Sequence, residues 1–383
     1  MKKRKRIAIF THNYPITSME RKDAGIFVYD FANELYKNVD VFIFCPDFGG
    51  KKEKYKKIPV KWMDWKGPKI KFGNWPFYSP ISVFRFFKLI FIGSQKAKKF
   101  VKENEIDYIL ACWTMPSSIY ALWANLRLKT SYSVWILGSD VNIYAKLPIL
   151  RQLTVFALRR ARNRFSNSYW LINATENLSG KKCNFMSAIT DFKDSKILPQ
   201  KFSNNVFNFL SVGRLEKVKG PDVLIKACLE LKKKNSRFIL HVLGAGTMMN
   251  NLVEYVAKNE LSDNVKFYGN SSKDEIISFM KSAQSHIITS RAESIPLVMV
   301  ESARFGLPTI ATDVGDCRYA INKYNIGLVA KSENPEDIAG KMYKAMKEGR
   351  DFKKKRQKGL KRISADYKQE IAVSTFLKEI NSI

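Results

Sequence analysis

The chain has 383 residues, of which 45% are hydrophobic and 26% charged, and its formal net charge is +31 at pH 7. This length and hydrophobic content favour a globular protein with two domains over a single-domain or disordered chain. The five cysteines and three histidines show no CxxC pair and no zinc spacing, and no apolar run approaches the ~20 residues of a membrane span. We therefore expect a cytoplasmic protein with reduced thiols.

The positive charge is concentrated in the N-terminal half. Residues 1–200 hold 35 of the 66 Lys and Arg but only 15 of the 35 Asp and Glu, so they carry 20 of the 31 net charges. A field of this sign attracts an anionic membrane surface or nucleic acid. A lysine-rich surface that binds no partner is the alternative.

The first elements predict a strand, loop, helix, strand unit. Residues 7–10 (IAIF) predict a strand, which the Asn and Pro of THNYP end. Gly25 precedes a helix predicted over residues 27–36, and residues 40–45 predict the next strand. His12 fits a turn residue better than a catalytic base, because no acid partner is visible in the sequence.

Residues 51–78 are rich in lysine and then in aromatic side chains, and Pro80 opens a predicted helix, SPISVFRFFKLIFIGSQKAKKFVKENE. Its apolar run over residues 81–92 contains Arg85 and Lys88, so it cannot span a bilayer. Either this helix is buried in the first domain, or it lies in the lipid headgroup region with its cations outward. The aromatic and lysine-rich stretch before it favours docking on an anionic membrane surface.

The remainder of the first domain alternates strands and helices. Strands are predicted at residues 107–111 and 133–137, with a helix over 116–128 between them. A helix over residues 151–164 carries five arginines, for which a solvated basic face is the favoured interpretation. A further strand is predicted at 170–172.

A polar linker is predicted at residues 196–208, before the stretch FLSVGRLEKVKG at 209–220. That stretch predicts a strand, a turn at Gly213 and then a helix start. Arg214 offers a planar fork to phosphate oxygens, Lys219 offers a mobile charge, and the turn glycines allow the backbone to approach a ligand closely. Two cations and a helix N-terminus would neutralise a diphosphate.

The next strand, ILHVLGAG at residues 239–246, ends in a glycine pair that begins at Gly244. Met249 stands where GxGxxG needs its third glycine, and no acid follows at the dinucleotide spacing, so a nicotinamide cofactor is not expected. A short strand is predicted at residues 265–269, and Tyr268 near its end is a candidate substrate contact.

The stretch TSRAESIPLVMVESARFGLPTIATDVGD contains the main candidate site. A strand over residues 286–290 feeds a helix predicted over 296–305, and a strand follows at 309–312. The free amides of Leu297 and Val298 and the positive end of the helix dipole make a site for an anion.

Two glutamates flank this anion site. Glu293 precedes the helix, whereas Glu301 lies roughly 7.5 Å along the axis from Pro296, with a side chain that tilts back toward the N-terminus. One carboxylate can therefore lie beside the anion while the other reaches hydroxyls of the same ligand, which describes a phosphate-plus-polyol ligand. We add Arg291 of the same loop as a substrate-binding candidate. Salt-bridged surface acids are the alternative for two glutamates at this spacing.

The GRL…KG turn, VLGAG, the two glutamates of SRAESIPLVMVE and the following ARFGLPTIATDVGD resemble, in order and spacing, the nucleotide-sugar-binding half of retaining glycosyltransferases of family 4. The resemblance extends over residues 209–345. It implies the α/β GT-B fold, in which two Rossmann-like domains with parallel sheets face an interdomain cleft. The expected domains are 1–203 on the acceptor and membrane side, 204–350 for the nucleotide-sugar donor, and 351–383 as helices that pack back toward the N-terminal domain.

The same resemblance implies roles for single residues. Arg214 and Lys219 would contact the donor diphosphate, Glu293 would lie near the transferred sugar, and Glu301 would bind the ribose hydroxyls. Gly25 matches a glycine beside the donor phosphate at the mouth of the cleft, although a simple loop cap is the alternative.

The chain departs from the family pattern after the strand at residues 133–137. Family members often carry a histidine that contacts the donor sugar before the Gly-Ser-Asp of this loop, and here that position is Leu137. The usual sugar contact is therefore in doubt. Asp140 remains a candidate near the acceptor or the sugar, and capping of the next helix is equally compatible with its position.

The resemblance implies a retaining hexosyltransferase that uses a nucleoside diphosphate sugar, with UDP or GDP as the nucleotide. The acceptor would be a glycan or a lipid-linked molecule at the inner face of the membrane, in cell-surface polysaccharide synthesis. No cofactor, no metal and no nucleic acid are expected, and the sequence contains no DxD triplet. Two alternatives stay open: a basic nucleic-acid-binding protein, suggested by charge alone, and a catalytically silent GT-B module, suggested by Leu137.

Overall fold

The computed structural model describes residues 4–15, 25–47, 57–65, 79–138, 148–189, 197–203, 205–234 and 237–382. The chain divides into two compact units, Met1–Asp191 with Lys368–Ile383, and Phe192–Tyr367. Each unit is built on one parallel β-sheet. The domain limits given above assign acceptor and donor roles to parts of the chain, and they stay a prediction.

The described strands of the first unit are β1 (Arg6–Phe10), β2 (Asp40–Pro46), β3 (Val60–Met63), β4 (Tyr108–Cys112), β5 (Ser131–Ile136), β6 (Asn163–Ser166) and β7 (Asn184–Phe185). They form one parallel sheet in the order β3-β2-β1-β4-β5-β6-β7. Alternate side chains of β1 point to opposite faces, so Ala8 and Phe10 join one core layer while Ile7 and Ile9 join the other. Both faces of the sheet are therefore buried, as the uninterrupted apolar strands predict.

The described helices of the first unit before its C-terminal segment are α1 (Ile26–Tyr36), α2 (Pro80–Glu103), α3 (Ile119–Leu128), α4 (Pro148–Arg160) and α5 (Tyr169–Ser179). α2, α3 and α4 cover one face of the sheet through side chains such as Phe86, Tyr120 and Leu158, and α1 covers the other face. Gly93 allows α2 to lie against α3, because a Cβ at this position would come within 2.3 Å of the Tyr120 ring.

The basic helix predicted over residues 151–164 is wrong at its end. α4 stops at Arg160, and Arg164 lies in β6 with only 8% of its surface exposed. Its guanidinium donates to the carbonyls of Leu158 and Ala161 at 2.9 and 2.6 Å. The last arginine therefore satisfies the carbonyls at the end of α4 instead of contributing to a solvated basic face.

The strand predicted at residues 170–172 is also wrong, because these residues lie in α5. Ser168 caps this helix by accepting a hydrogen bond from the Leu171 amide at 3.4 Å. Three consecutive apolar residues cannot by themselves distinguish a strand from a buried helical turn. Here Ser168, as the N-terminal cap, is the local signal for a helix.

The second unit repeats the order of the first six strands of the first unit. Its described strands are β8 (Phe207–Val212), β9 (Phe238–Leu243), β10 (Val265–Gly269), β11 (Ser285–Ile288), β12 (Thr309–Thr312) and β13 (Gly327–Ala330). They form a parallel sheet in the order β10-β9-β8-β11-β12-β13. Its described helices are α6 (Pro221–Lys232), α7 (Met249–Lys258), α8 (Lys273–Ser282), α9 (Leu297–Arg304), α10 (Cys317–Tyr324), α11 (Pro335–Glu348), α12 (Arg350–Lys354) and α13 (Gln357–Asp366).

The last helix, α14 (Gln369–Asn381), belongs to the first unit. It packs beside α1, with the rings of Phe376 and Phe31 6.0 Å apart. Residues 351–383, which were expected to form helices, contain most of α12 and all of α13 and α14, of which α12 and α13 belong to the second unit. In the part of the chain that the structure describes, no helix is both long and apolar enough to cross a membrane.

Candidate functional site

The strand order of the second unit creates a crevice beside β8. β9 and β10 lie on one side of β8, and β11, β12 and β13 lie on the other. The loops that leave the carboxyl ends of β8 and β11 therefore diverge, and this is the point at which open α/β sheets bind ligands. The loops in question are residues 213–220 and 289–296.

The loop after β8 is held by backbone hydrogen bonds to the end of β9 and the residues that follow it. The Gly213 and Leu215 amides donate to the carbonyls of Leu243 and Ala245, both at 3.0 Å. Residues 217–219 then make one tight helical turn, and Gly220 follows with a φ of +63°. A Cβ on Gly220 would lie 2.1 Å from the carbonyl oxygen of Thr289, so only glycine lets the two loops approach this closely.

This approach brings together two of the predicted site residues. The Lys219 ammonium lies 2.5 Å from a carboxylate oxygen of Glu293, and the Ser290 hydroxyl donates to the same oxygen at 2.7 Å. The Lys219 and Glu293 side chains are 32% and 11% exposed, respectively. The fold therefore orders the pair, and the Lys219 side chain remains partly exposed to a ligand.

Arg291 is bound by acids other than Glu293. Its guanidinium forms two hydrogen bonds of 2.8 Å with the Asp222 carboxylate, pairs with Glu333, and donates to the carbonyl of Lys217. The hydrogen bonds from Arg291 are the largest cause of the lowered pKa of Asp222. Arg291 thus ties the loop after β11 to the turn that carries Lys219. Its predicted role in substrate binding stays a prediction.

α9 begins at Leu297, directly after Pro296. The amides of Leu297 and Val298 are in the first turn, where helical amides have no intrahelical acceptor. The Glu293 backbone in front of this helix is packed against Gly315, whose φ is +52° and whose Cβ would lie 2.1 Å from the Glu293 carbonyl oxygen. Glu301 is half-buried in the second turn of α9, and its contact with ribose stays a prediction.

Gly213 and Gly244 touch each other at the carboxyl ends of β8 and β9. A Cβ on Gly244 would lie 1.8 Å from the Gly213 carbonyl oxygen, and the φ of Gly244 is +145°. By contrast, a Cβ on Gly213 would have no atom within 4 Å. The fold therefore requires the glycine at 244, whereas it leaves open space beside 213. Arg214 follows Gly213 on the same exposed loop.

Tyr268 lies near the end of β10 and is 44% exposed. Its hydroxyl is 2.8 Å from Nδ1 of His241, and Nε2 of His241 is 2.9 Å from the Asn208 side-chain oxygen. Because the Asn208 amide nitrogen donates to the Val206 carbonyl, its oxygen accepts from Nε2, and Tyr268 must then donate to Nδ1. Burial lowers the pKa of His241 to about 4, so this imidazole stays neutral and holds the Tyr268 ring in place.

The remaining candidates belong to the first unit. Gly25 precedes α1, and a Cβ there would lie 2.2 Å from the Asn13 carbonyl oxygen, so the loop itself requires glycine. Leu137 follows β5 and packs against the apolar layer around α1. Burial lowers the pKa of His12 to about 3, which makes it a weak base. Asp140 lies outside the described residues.

Sequence reasoning missed several residues that shape the Lys219–Glu293 pair. Ser290 orients the Glu293 carboxylate, and Asp222 anchors Arg291. Burial raises the pKa of the Cys317 thiol, and the nearby Glu293 carboxylate raises it further. Only the position of Asp222, in the first turn of a helix, carried a local signal. Among the described residues, no group of three or more His, Cys, Asp or Glu could hold a metal ion.

Residues 193–362 match the family of glycosyl transferases group 1. The chain is 28% identical over 255 residues to an uncharacterized glycosyltransferase of Methanocaldococcus jannaschii, a match that spans 66% of this chain and 69% of that protein. It is 30% identical over 137 residues to a D-inositol 3-phosphate glycosyltransferase of Paenarthrobacter aurescens. That match spans 35% of this chain and about a third, 34%, of the relative.

The fold matches a solved structure over its whole length. The Anabaena protein HepE, solved in complex with UDP and glucose, aligns with 99% of this chain and 100% of its own, with a TM-score of 0.73 and 16% sequence identity. A likeness at this identity shows the fold. The predicted GT-B class, with two parallel-sheet α/β domains, is thereby confirmed.

Proposed function

We propose that this chain, whose residues 193–362 match the group 1 glycosyl transferases, moves a hexose from a nucleoside diphosphate sugar to a glycan or lipid-linked acceptor. The observation that carries the proposal is the Lys219–Glu293 pair at the carboxyl edge of the second sheet. A cation and an acid lie together there, on the sheet edge whose loops also carry the exposed Arg214 and the first-turn amides of α9. This is the arrangement that a diphosphate attached to a sugar would need.

The chemistry follows from the charges of these groups. Cleavage of the bond between the anomeric carbon and the β-phosphate oxygen leaves negative charge on the diphosphate. Preplaced cations and amides stabilise that charge in the transition state more than in the ground state. In our proposal Arg214, Lys219 and the start of α9 do this without a metal ion.

We propose that the reaction retains the anomeric configuration. The acceptor hydroxyl oxygen would form its bond on the face that the diphosphate leaves, and its proton would pass to the departing phosphate oxygen. In this scheme Glu293 lies near the transferred sugar and keeps Lys219 in position before the donor arrives, when the two groups neutralise each other.

The donor and the acceptor are the finer part of the proposal. UDP bound to HepE, which shares the fold, supports a UDP sugar, and GDP is the next candidate. We place the reaction in cell-surface polysaccharide synthesis, on a protein held peripherally at the inner face of the membrane. The net charge of +31 supports contact with an anionic surface.

The test combines nucleotide binding with turnover. UDP, GDP and ADP, each with its sugars, are compared for the rise in melting temperature, since a ligand at 100 times its Kd stabilises the folded state by about 2.7 kcal/mol. Lys219→Met and Glu293→Gln should each lower turnover at least ~10-fold, or about 1.4 kcal/mol. Lys217→Met is the matched control, because Arg291 donates to the backbone carbonyl of Lys217, which the substitution keeps. Wild-type turnover in both site variants would overturn the assignment.

Leu137 supports one alternative, a GT-B module that binds nucleotide without transferring sugar. Its side chain packs on the apolar layer of the first unit. At this position the glycosyltransferases of family 4, which the chain resembles, often have a histidine that contacts the sugar. Stabilisation by a nucleoside diphosphate with no transfer from any sugar in the panel would select this alternative.

A further inference from the structure

The outer side of α2 is apolar where helices of a globular protein usually present polar side chains. Ile81, Phe84 and Phe91 are 63%, 71% and 65% exposed. At 100° per residue they lie on the side of the helix opposite Phe86 and Leu89, which are buried against the sheet. The α2 apolar stripe consists of Ile81, Phe84, Phe87 and Phe91. The core requires only one side of this helix, so the stripe needs another explanation.

Cations accompany the stripe. Arg85 and Lys88 are exposed between its phenylalanines. Over the whole of α2 there are six Lys and Arg and a single acid, Glu103, at the far end of the helix. Aromatic side chains flanked by cations on an exposed helix face are typical of helices that lie in the lipid headgroup layer.

The surface continues onto the neighbouring helices. α3 lies between α2 and α4 in one layer on the same face of the sheet, so their outer sides point the same way. On α4, Ile149 and Phe156 are exposed seven residues apart, and therefore on one side of the helix, with three arginines on the same helix. Neither α3 nor α4 contains an acidic residue.

We propose that the α2 apolar stripe, together with the outer side of α4, is a docking surface for a lipid bilayer that contains anionic headgroups. Charge complementarity selects this occupant. A second copy of the chain would bring two sets of cations against each other, and a nucleic acid duplex would satisfy the cations while the stripe stayed in water. A bilayer surface offers negative headgroups above an apolar layer, which suits both.

This docking surface would hold the enzyme beside a lipid-linked acceptor, but its existence does not rest on the proposed transfer reaction. Nucleotide binding depends on residues of the second unit, whereas the stripe belongs to the first. The two proposals can therefore fail separately. A variant of the stripe should keep the melting-temperature rise with UDP that the wild type shows.

The experiment measures co-sedimentation of the purified chain with vesicles of phosphatidylcholine alone and of phosphatidylcholine with phosphatidylglycerol. The wild type should bind the anionic vesicles at least ~10-fold more tightly than the neutral ones. Phe84→Ser with Phe91→Ser should weaken binding at least ~10-fold, and Arg85→Gln with Lys88→Gln should weaken it at low salt in particular. Val253→Ser with Ile371→Ser is the matched control, because both side chains are 45% exposed on other helices. It should bind as the wild type does.

Three results would overturn the proposal. The first is no binding to either vesicle, the second is equal binding to both, and the third is equal loss in the stripe variant and the Val253/Ile371 control. A concentration-dependent dimer that Phe84→Ser disrupts would assign the surface to a second copy instead. Far-UV circular dichroism of each variant verifies folding, which these exposed substitutions should not disturb.

Discussion

Gly213 and Gly244 allow two reasons for a glycine to be separated, namely the packing of the fold and the space needed by a ligand. They touch in the structure, yet a Cβ on Gly244 would lie 1.8 Å from the Gly213 carbonyl oxygen while a Cβ on Gly213 would meet nothing within 4 Å. We expect Gly244→Ala to destabilise the second unit. We expect Gly213→Ala to leave stability unchanged and to weaken donor binding.

The sizes of the two effects follow from this geometry. At a φ of +145°, a side chain costs of order 1–3 kcal/mol, and forcing a methyl group against a carbonyl oxygen costs a further ~1–3 kcal/mol. The second unit should therefore lose at least about 2 kcal/mol, which lowers its melting temperature by at least about 4 °C. For Gly213→Ala the change should stay within about 0.5 kcal/mol. If the diphosphate lies against Gly213, its Kd should rise at least ~10-fold, or about 1.4 kcal/mol.

The assay can observe each unit by itself. All seven tryptophans lie in the first unit, at positions 62, 65, 75, 113, 123, 135 and 170. Tryptophan fluorescence therefore follows the first unit, and calorimetry follows both. Gly244→Ala should lower the transition of the second unit, and UDP binding should be titrated separately for both variants. Gly244→Ala with wild-type stability would refute the geometric argument, and Gly213→Ala with wild-type affinity would remove Gly213 from the donor site.

Two further predictions concern stability. Arg291→Met leaves Asp222 and Glu333 unpaired and should destabilise the second unit by about 1–2 kcal/mol, a value discounted because a fifth of the Arg291 side chain is exposed. Urea unfolding measures this loss. Arg318→Met is the control, because the exposed pair of Arg318 with Asp313 should contribute little to stability. His286 is fully buried, and burial lowers its pKa to about 3, below the ~6.5 of the unfolded chain. The contribution of His286 to stability should therefore be constant above about pH 6.5 and fall as the pH drops toward 3. In urea unfolding, His286→Met should reduce the difference in the free energy of unfolding between pH 8 and pH 5 by of order 1–2 kcal/mol. An unchanged difference would contradict the prediction.

The repeated strand, helix, strand pattern allowed most of the fold to be predicted. Apolar strands bounded by Gly, Pro and Asn define both sheets. The errors fall where a long-range contact decides. Arg164 continues a helical pattern of arginines, but its backbone lies in β6 and its guanidinium donates to carbonyls at the end of α4.

The two placements that the sequence left open for α2 are not exclusive. Its apolar residues occupy both sides of the helix, and periodicity alone cannot show which side meets the core. The structure buries Phe86 and Leu89 and leaves Phe84 and Phe91 exposed. The sequence signal for membrane docking was therefore one of composition, and only the packing of α2 on the sheet identifies the residues that could contact lipid.

The candidate site shows the same limit at the level of side chains. Strand order alone places the loops with Lys219 and Glu293 side by side, although 74 residues separate the two positions. It does not show which of the nearby arginines stays open to a ligand. Arg214 and Arg291 both follow strands of this edge, but the carboxylates that bind Arg291 come from positions 69 and 42 residues away. Since those two acids both bind Arg291, Arg214 is the arginine that a diphosphate at this edge would find open, and Lys219, with one acid partner and a third of its side chain exposed, would be its second cation.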